Sequence, residues 1–207
     1  MNLNLGLDIQ SGPFFYVSDI QPKIKFIIFA VNMYKLTNPL IWLRRFRHRC
    51  GYGVHSPFAF KFITEVLYMN LPYYAYDQLD KDLPMRDMFR VRKILHMLLR
   101  ISNWRQPDVI VCLSAPPYVS SYLQAGCKKA DIHNHIPEGQ IDMCWLNDPD
   151  DDIITHLNEQ SVLILDNLDK HKEWFSRLPA VVTFDLYDVG IAFFNTKYNK
   201  QHYIVNF

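Results

Sequence analysis

The chain has 207 residues, of which 49% are hydrophobic and 21% are charged, a composition typical of a globular protein and unlike that of a disordered tail or a coiled coil. This length suits one domain with a helical appendage and is too short for two full domains. The formal net charge of +1 gives no reason to expect that the molecule as a whole binds nucleic acid or an anionic membrane.

Residues 1–39 have the mixed composition of an extension, and Met1 and Met33 are both candidates for the native start. We expect no secretion signal, because no basic segment is followed by an apolar run and a cleavage site. The most apolar stretch, residues 24–31, is far shorter than the roughly 20 residues that span a bilayer, so no membrane span is expected either. The four cysteines lack C-x-x-C spacing, which indicates a reducing compartment and predicts a cytoplasmic protein.

The next part of the chain, residues 40–105, is predicted to form a helical N-terminal region. Apolar residues recur at helical spacing, and a Ser-Pro pair at residues 56–57 is a typical helix start. The predicted helices span residues 40–49, 57–70 and 85–102.

Charge is distributed unevenly along the sequence. Residues 20–64 carry basic side chains and no acidic one, whereas residues 130–169 carry acidic side chains and neither lysine nor arginine. One interpretation is that these faces are solvated or attract each other within the fold. The other is that the basic N-terminal residues form a patch for an anionic partner, with the basic helix over residues 41–49 as the contact for a protein partner or a second copy of the chain.

After Pro107 the pattern changes to that of an α/β core, over residues 106–207. Continuous apolar runs bounded by turns predict parallel strands buried on both faces, with a short helix over residues 118–124 between the first two. These strands are placed at residues 108–113, 141–147 and 161–167, with a weaker candidate at 130–135. Residues 181–207 follow the pattern of strand, turn at 188–190, strand, loop and strand, which predicts an antiparallel edge.

Specific strings resemble a known family. The blocks GVHSPFAFKFITEVL (53–67) and PYYAYDQLD (72–80), together with LILDN (163–167), TFDLYDVGIAFF (183–194) and KQHYIVNF (200–207), resemble small methyltransferase-like proteins common in Bacteroidetes. These belong with the class I S-adenosylmethionine-dependent methyltransferases, and the resemblance covers residues 40–207. It implies a Rossmann-like methyltransferase sheet whose last strand pair is antiparallel.

The resemblance also implies which residues form the site. By position, the catalytic candidates after the fifth strand of the family are Asp166 and Asn167, where metal-assisted members carry an acid pair. The cofactor-binding candidates are His55, Ser114, Ala115, Asp131, Asn147 and Asp148. No metal is expected, because this chain has fewer carboxylates at these positions than the metal-assisted members have. An alternative role for Asp166 and Asn167 is to cap the next helix.

Two features depart from the family. The loop CLSAPPYVS (112–120) lacks the glycines that let backbone approach the cofactor, and two prolines stand there instead. Only 27 residues separate Leu113 from Ile141, so about one strand–helix unit is missing. We therefore expect Tyr118 to help fill the crevice and the adenosine pocket to be partial or absent.

Three functional hypotheses remain open from the sequence. The first is a methyltransferase-like protein with a degenerate site that binds S-adenosylmethionine weakly or not at all. The second is an active small-molecule O-methyltransferase with a rebuilt cofactor loop. The third is a non-catalytic interaction module that uses the basic helix over residues 41–49.

Overall fold

A computed structural model describes Leu43, residues 45–83 and residues 89–207. The predicted extension, the alternative start at Met33 and residues 41, 42 and 44 of the predicted basic helix lie outside the described residues. Within the described part, Phe46–His48 form one turn of 3-10 helix, so the predicted α-helix does not extend to residue 49.

Within residues 45–83 and 89–105, three α-helices precede the sheet. Helix α1 spans Pro57–Phe62 and continues as a π-helical turn over Ile63–Leu67, α2 spans Tyr74–Leu79, and α3 spans Phe89–Arg105. The predicted start of α1 is confirmed, because the Ser56 hydroxyl accepts a hydrogen bond from the backbone N–H of Ala59 at 3.4 Å. The first part of the predicted third helix falls within residues 84–88, outside the described residues.

The rest of the chain forms a seven-stranded sheet with two further helices. The strands are β1 Val109–Leu113, β2 Asp131–His133, β3 Ile141–Leu146, β4 Leu157–Leu165, β5 Val182–Asp185, β6 Gly190–Phe193 and β7 Gln201–Ile204. Helix α4 spans Pro117–Gly126, and α5 spans Leu168–Arg177. The order in the sheet is β2-β1-β3-β4-β6-β5-β7.

The predicted parallel core is confirmed, because β2, β1, β3 and β4 pair in parallel. Between β1 and β3 the chain forms only α4 and the short strand β2, as the 27-residue spacing predicts. The molecule is therefore an α/β protein with a mostly parallel sheet, compatible with a Rossmann-like fold.

Three details of the predicted strands are wrong. Strand β4 begins at Leu157 and not at residue 161, because the largely polar residues 157–160 are already extended. In the turn after β5, the N–H of Leu186 donates a hydrogen bond to the carbonyl of Val189. Gly190 is therefore the first residue of β6 and not part of the turn. Only β6 runs antiparallel to its neighbours, whereas β7 pairs in parallel with β5. Since β6 is already paired with β4 and β5, the last strand cannot pair with β6 and lies beyond β5.

The two faces of the sheet are covered differently. One face, which includes Trp145 and Phe184, packs against α1, α3 and α4 in the larger core. The opposite face, which includes Cys144 and Leu163, packs against Phe175 of α5 in a smaller one. No helix within residues 45–83 and 89–207 has both the length and the apolar character needed to cross a membrane.

Candidate functional site

The site predicted from the sequence lies where the parallel strands end. The carboxyl ends of four parallel strands, β2, β1, β3 and β4, lie on the same side of the sheet. Ligands of open α/β sheets bind in the crevice outside such strand ends. We call the space bordered by residues 114–118, Asn147 and Asp166 the carboxyl-end crevice.

The loop from Ser114 to Pro117 connects β1 to α4. Ser114 is exposed and adopts a left-handed backbone conformation, with φ of 53°, which favours glycine. Ala115 is half-buried and packs against the larger core. Pro116 is extended and Pro117 is the first residue of α4, so neither residue supplies an N–H at the helix start. An anion at this helix terminus would therefore meet fewer backbone donors than usual.

Tyr118 reaches into the carboxyl-end crevice from the first turn of α4. Its hydroxyl oxygen is fully buried. Burial, together with the charge of Asp166, raises the pKa of Tyr118 well above its usual range. Tyr118 follows β1 and Asp166 follows β4, with β3 between these strands in the sheet, and the charge of Asp166 still acts on the Tyr118 hydroxyl.

Asp166, one of the two catalytic candidates, is completely buried at the end of β4. Its Oδ2 accepts a hydrogen bond from Nδ2 of Asn167 at 3.2 Å, while its Oδ1 has no hydrogen-bond partner among the described residues. Burial raises the pKa of Asp166 to about 8, so the carboxyl group is mostly protonated at neutral pH.

Asn167, the second catalytic candidate, is buried and adopts a left-handed conformation with φ of 51°. It precedes α5, yet its side chain makes no capping bond to that helix, so the interpretation that it caps α5 through its side chain is wrong. The Nδ2 group instead points back towards the sheet and lies 3.4 Å from Oδ1 of Asn147.

The cluster extends from Asn147 to the surface. Asn147 donates through Nδ2 to Oδ2 of Asp148 at 3.1 Å, and Nε2 of His171 lies 3.6 Å from Oδ1 of Asp148. The structure thus brings together four predicted residues, namely Asn147, Asp148, Asp166 and Asn167. Sequence reasoning missed His171, for which the only signal was its position one turn after Asn167.

Asp131, predicted near the cofactor ribose, lies at the wrong end of its strand. It is the first residue of β2 and pairs with Val109, the first residue of β1. The carboxyl end of β2 is instead followed by Asn134 and His135, an amide and an imidazole. An acidic side chain for ribose hydroxyls is therefore not supplied by Asp131 in this position.

His55 is also separated from the crevice. It is exposed and follows a segment, residues 48–54, that borders a pocket along β7. Strand β7 lies three places from β4, at the opposite edge of the sheet from β2. The structure therefore does not bring His55 together with the cluster around Asp166.

Cysteines and groups of metal-ligating side chains are the remaining candidates for chemistry outside this cluster. Cys112 and Cys144 are buried in neighbouring strands, and burial raises both thiol pKa values, to about 11 for Cys112. Both thiols are therefore neutral core groups, and since the thiolate is the reactive form, neither is activated as a nucleophile. In the part of the chain that the structure describes, no three His, Cys, Asp or Glu side chains are grouped so that they could hold a metal ion.

Chemically, this crevice combines a neutral carboxyl, two amides and a phenol, most of them turned towards one another. Groups of this kind can exchange hydrogen bonds but supply neither a strong nucleophile nor a concentrated charge. Comparisons of the chain with protein-family models, with curated proteins and with solved structures found no match.

Proposed function

We propose that the chain is a methyltransferase-like protein whose cofactor site has degenerated, so that it binds S-adenosylmethionine weakly or not at all. The order and direction of the strands support this proposal. Four parallel strands are followed in the sheet by the antiparallel strand β6, which is the arrangement that the family resemblance implies for the closing strands.

The observation that carries the proposal is the content of the carboxyl-end crevice. Tyr118 stands at this crevice in the first turn of α4, and its buried hydroxyl is close enough to Asp166 for the ionised carboxylate to raise the pKa of the tyrosine. A cofactor with an adenosine and a methionine part needs open backbone and donors at this place. Here a side chain takes the space, and Pro116 and Pro117 remove donors.

The ribose side of the site supports the same conclusion. Asp131 lies at the amino end of β2, and the short connection between β1 and β3 leaves no further strand beyond β2 among the described residues. A cofactor that entered the crevice would therefore lack both its usual carboxyl-end donors and its acidic ribose partner.

The test is calorimetric titration with S-adenosylmethionine and S-adenosylhomocysteine. We expect no binding stronger than a dissociation constant of about 1 mM for either compound. The variant Tyr118→Ala removes the ring, and Tyr118→Phe is its matched control because it keeps the ring and loses only the hydroxyl. Neither variant is expected to gain binding, since Pro116, Pro117 and the missing ribose partner are unchanged.

An active methyltransferase with a rebuilt loop predicts the opposite result. A dissociation constant of tens of micromolar or tighter for the natural chain contradicts the proposal. A thermal-shift assay provides a second readout, because a ligand present far above its dissociation constant must raise the midpoint of unfolding.

A further inference from the structure

A cavity of about 460 Å³ lies between α5 and the outer strands β5 and β7. We call it the edge cavity. Its volume falls within the range of small-molecule sites. None of its lining residues belongs to the cluster around Asp166, so this site is separate from the carboxyl-end crevice and from the function proposed above.

The floor of the edge cavity is apolar. Phe175, Leu178 and Ala180 line it and are each at most 5% exposed. The ring of Phe175 is held against β6 because Gly190 has no side chain, and a Cβ there would come within 2.7 Å of the ring. The floor therefore belongs to the packed core and is fixed in place.

The sheet side of the edge cavity is polar. The parallel register pairs Thr183 of β5 with His202 of β7, so both side chains lie on the same face. Oγ1 of Thr183 and Nδ1 of His202 are hydrogen-bonded at 2.8 Å. These groups satisfy each other and form a wall beside the apolar floor.

At the rim of the edge cavity, basic side chains outnumber the single carboxylate of Asp185 among the described residues. Asp185 lies 2.6 Å from Nη2 of Arg45 and 3.6 Å from Nζ of Lys172. Lys200 also lines the cavity, and it has no ion-pair partner among the described residues. One buried carboxylate is therefore surrounded by two cations, and a further lysine is left to face the cavity.

We propose that the edge cavity binds an aliphatic monocarboxylate of medium chain length. The chain lies on the floor of Phe175, Leu178 and Ala180, where burial of apolar surface is favourable. The carboxylate lies beside Lys172 and Lys200, which supply the charged partners that a half-buried anion needs. A dianion fits less well, because the Asp185 carboxylate at the same rim repels a second negative charge.

The test compares three probes of equal length by calorimetry on the full chain, namely octanoate, 1-octanol and octylammonium. We expect octanoate to bind about tenfold more tightly than 1-octanol, and octylammonium not to bind. Lys200→Gln is expected to weaken octanoate about fivefold without changing 1-octanol. The matched control is Lys197→Gln, which removes a nearby exposed lysine that does not line the cavity.

A second variant tests the location independently of charge. Ser176 is exposed on α5 and lines the cavity, so Ser176→Trp should block both octanoate and 1-octanol without disturbing the core. The proposal is overturned if octanoate does not bind, if it binds no better than 1-octanol, or if Lys200→Gln or Ser176→Trp leaves its affinity unchanged. Because these probes differ from the cofactor, either proposal can fail without the other.

Discussion

The carboxyl-end crevice and the edge cavity are two concave regions on one sheet, and they differ in what fills them. In the crevice, Asn167 is hydrogen-bonded to both Asp166 and Asn147, and the half-buried Tyr118 has its hydroxyl buried within range of the charge of Asp166. In the edge cavity, an apolar floor remains open beneath a rim with excess positive charge. The difference shows that the side chains and loops around a sheet, more than its strand order, decide where space for a ligand remains.

The largest expected effect on stability concerns Tyr118 of the carboxyl-end crevice. Tyr118→Ala should lower the free energy of unfolding by about 3 kcal/mol, because it leaves a void where a large ring is packed. Urea denaturation measures the change. Tyr118→Phe should cost about 1 kcal/mol or less, since only a hydroxyl is lost. An alanine variant as stable as the natural chain would mean that the ring does not fill the crevice.

The next largest effect concerns the proton on Asp166. Burial raises the pKa of this carboxyl to about 8, against roughly 3.9 in an unfolded chain. Between these values the folded chain holds a proton that the unfolded chain has lost, so stability falls as pH rises. Asp166→Asn lacks this penalty, and its stability relative to the natural chain should rise by about 2–3 kcal/mol from pH 5 to pH 7.

Urea denaturation at both pH values measures that difference. Asp148→Asn is the matched control, because Asp148 belongs to the same cluster but is exposed. If Asp166→Asn and the natural chain show parallel pH dependence, Asp166 is ionised in the folded state and the crevice is more polar than described.

At the rim of the edge cavity, the ion pair between Arg45 and Asp185 can be tested by replacing Arg45. Burial alone would raise the pKa of Asp185, but the hydrogen bond and charge of Arg45 hold it below its usual value. This contribution to stability is present above the unfolded pKa and is lost as pH falls through the folded one. Arg45→Met should therefore cost about 2 kcal/mol at pH 7 and less at pH 3.5, as measured by thermal unfolding.

The neighbouring Arg47 provides the control for that measurement. It is exposed, so Arg47→Met should change stability by less than about 0.5 kcal/mol at either pH. Equal losses for the two variants would contradict the assigned ion pair.

The smallest expected effect is at Ser114. Its φ of 53° is costly for a residue with a side chain, and glycine adopts it without strain. Ser114→Gly should raise the free energy of unfolding by about 0.5 kcal/mol, partly offset by the entropy of glycine in the unfolded chain. A loss of stability, measured by urea denaturation, would show that the serine side chain contributes more than its backbone strain costs.

The strands of the parallel core were predictable because their apolar runs are continuous and bounded by turns, as at residues 108–113. The placement of β7 was not, since its local pattern fits a hairpin and only the double pairing of β6 excludes one. The same holds for the predicted site. Asn147 and Asp166 follow adjacent strands and meet, whereas Asp131 is misplaced because the register of a three-residue strand leaves little trace in its sequence.

The edge cavity could not be predicted for a related reason. Its rim combines Lys172 of α5 with Lys200 at the start of β7, and nothing local to either residue indicates that they line one space. Their proximity depends on the parallel pairing of β5 with β7. A site built from distant segments can be predicted only when the pairing and register of the strands are known, and the local sequence pattern does not give them.

The most direct test of the central claim is a methyl-labelled NMR titration of the full chain with S-adenosylhomocysteine. The methyl groups of Ala115 and Val119 report on the carboxyl-end crevice, and those of Leu178 and Ala180 report on the edge cavity. We expect millimolar S-adenosylhomocysteine to leave the methyl signals of Ala115 and Val119 unshifted. Saturable shifts at these two residues, with a dissociation constant of tens of micromolar, would contradict it.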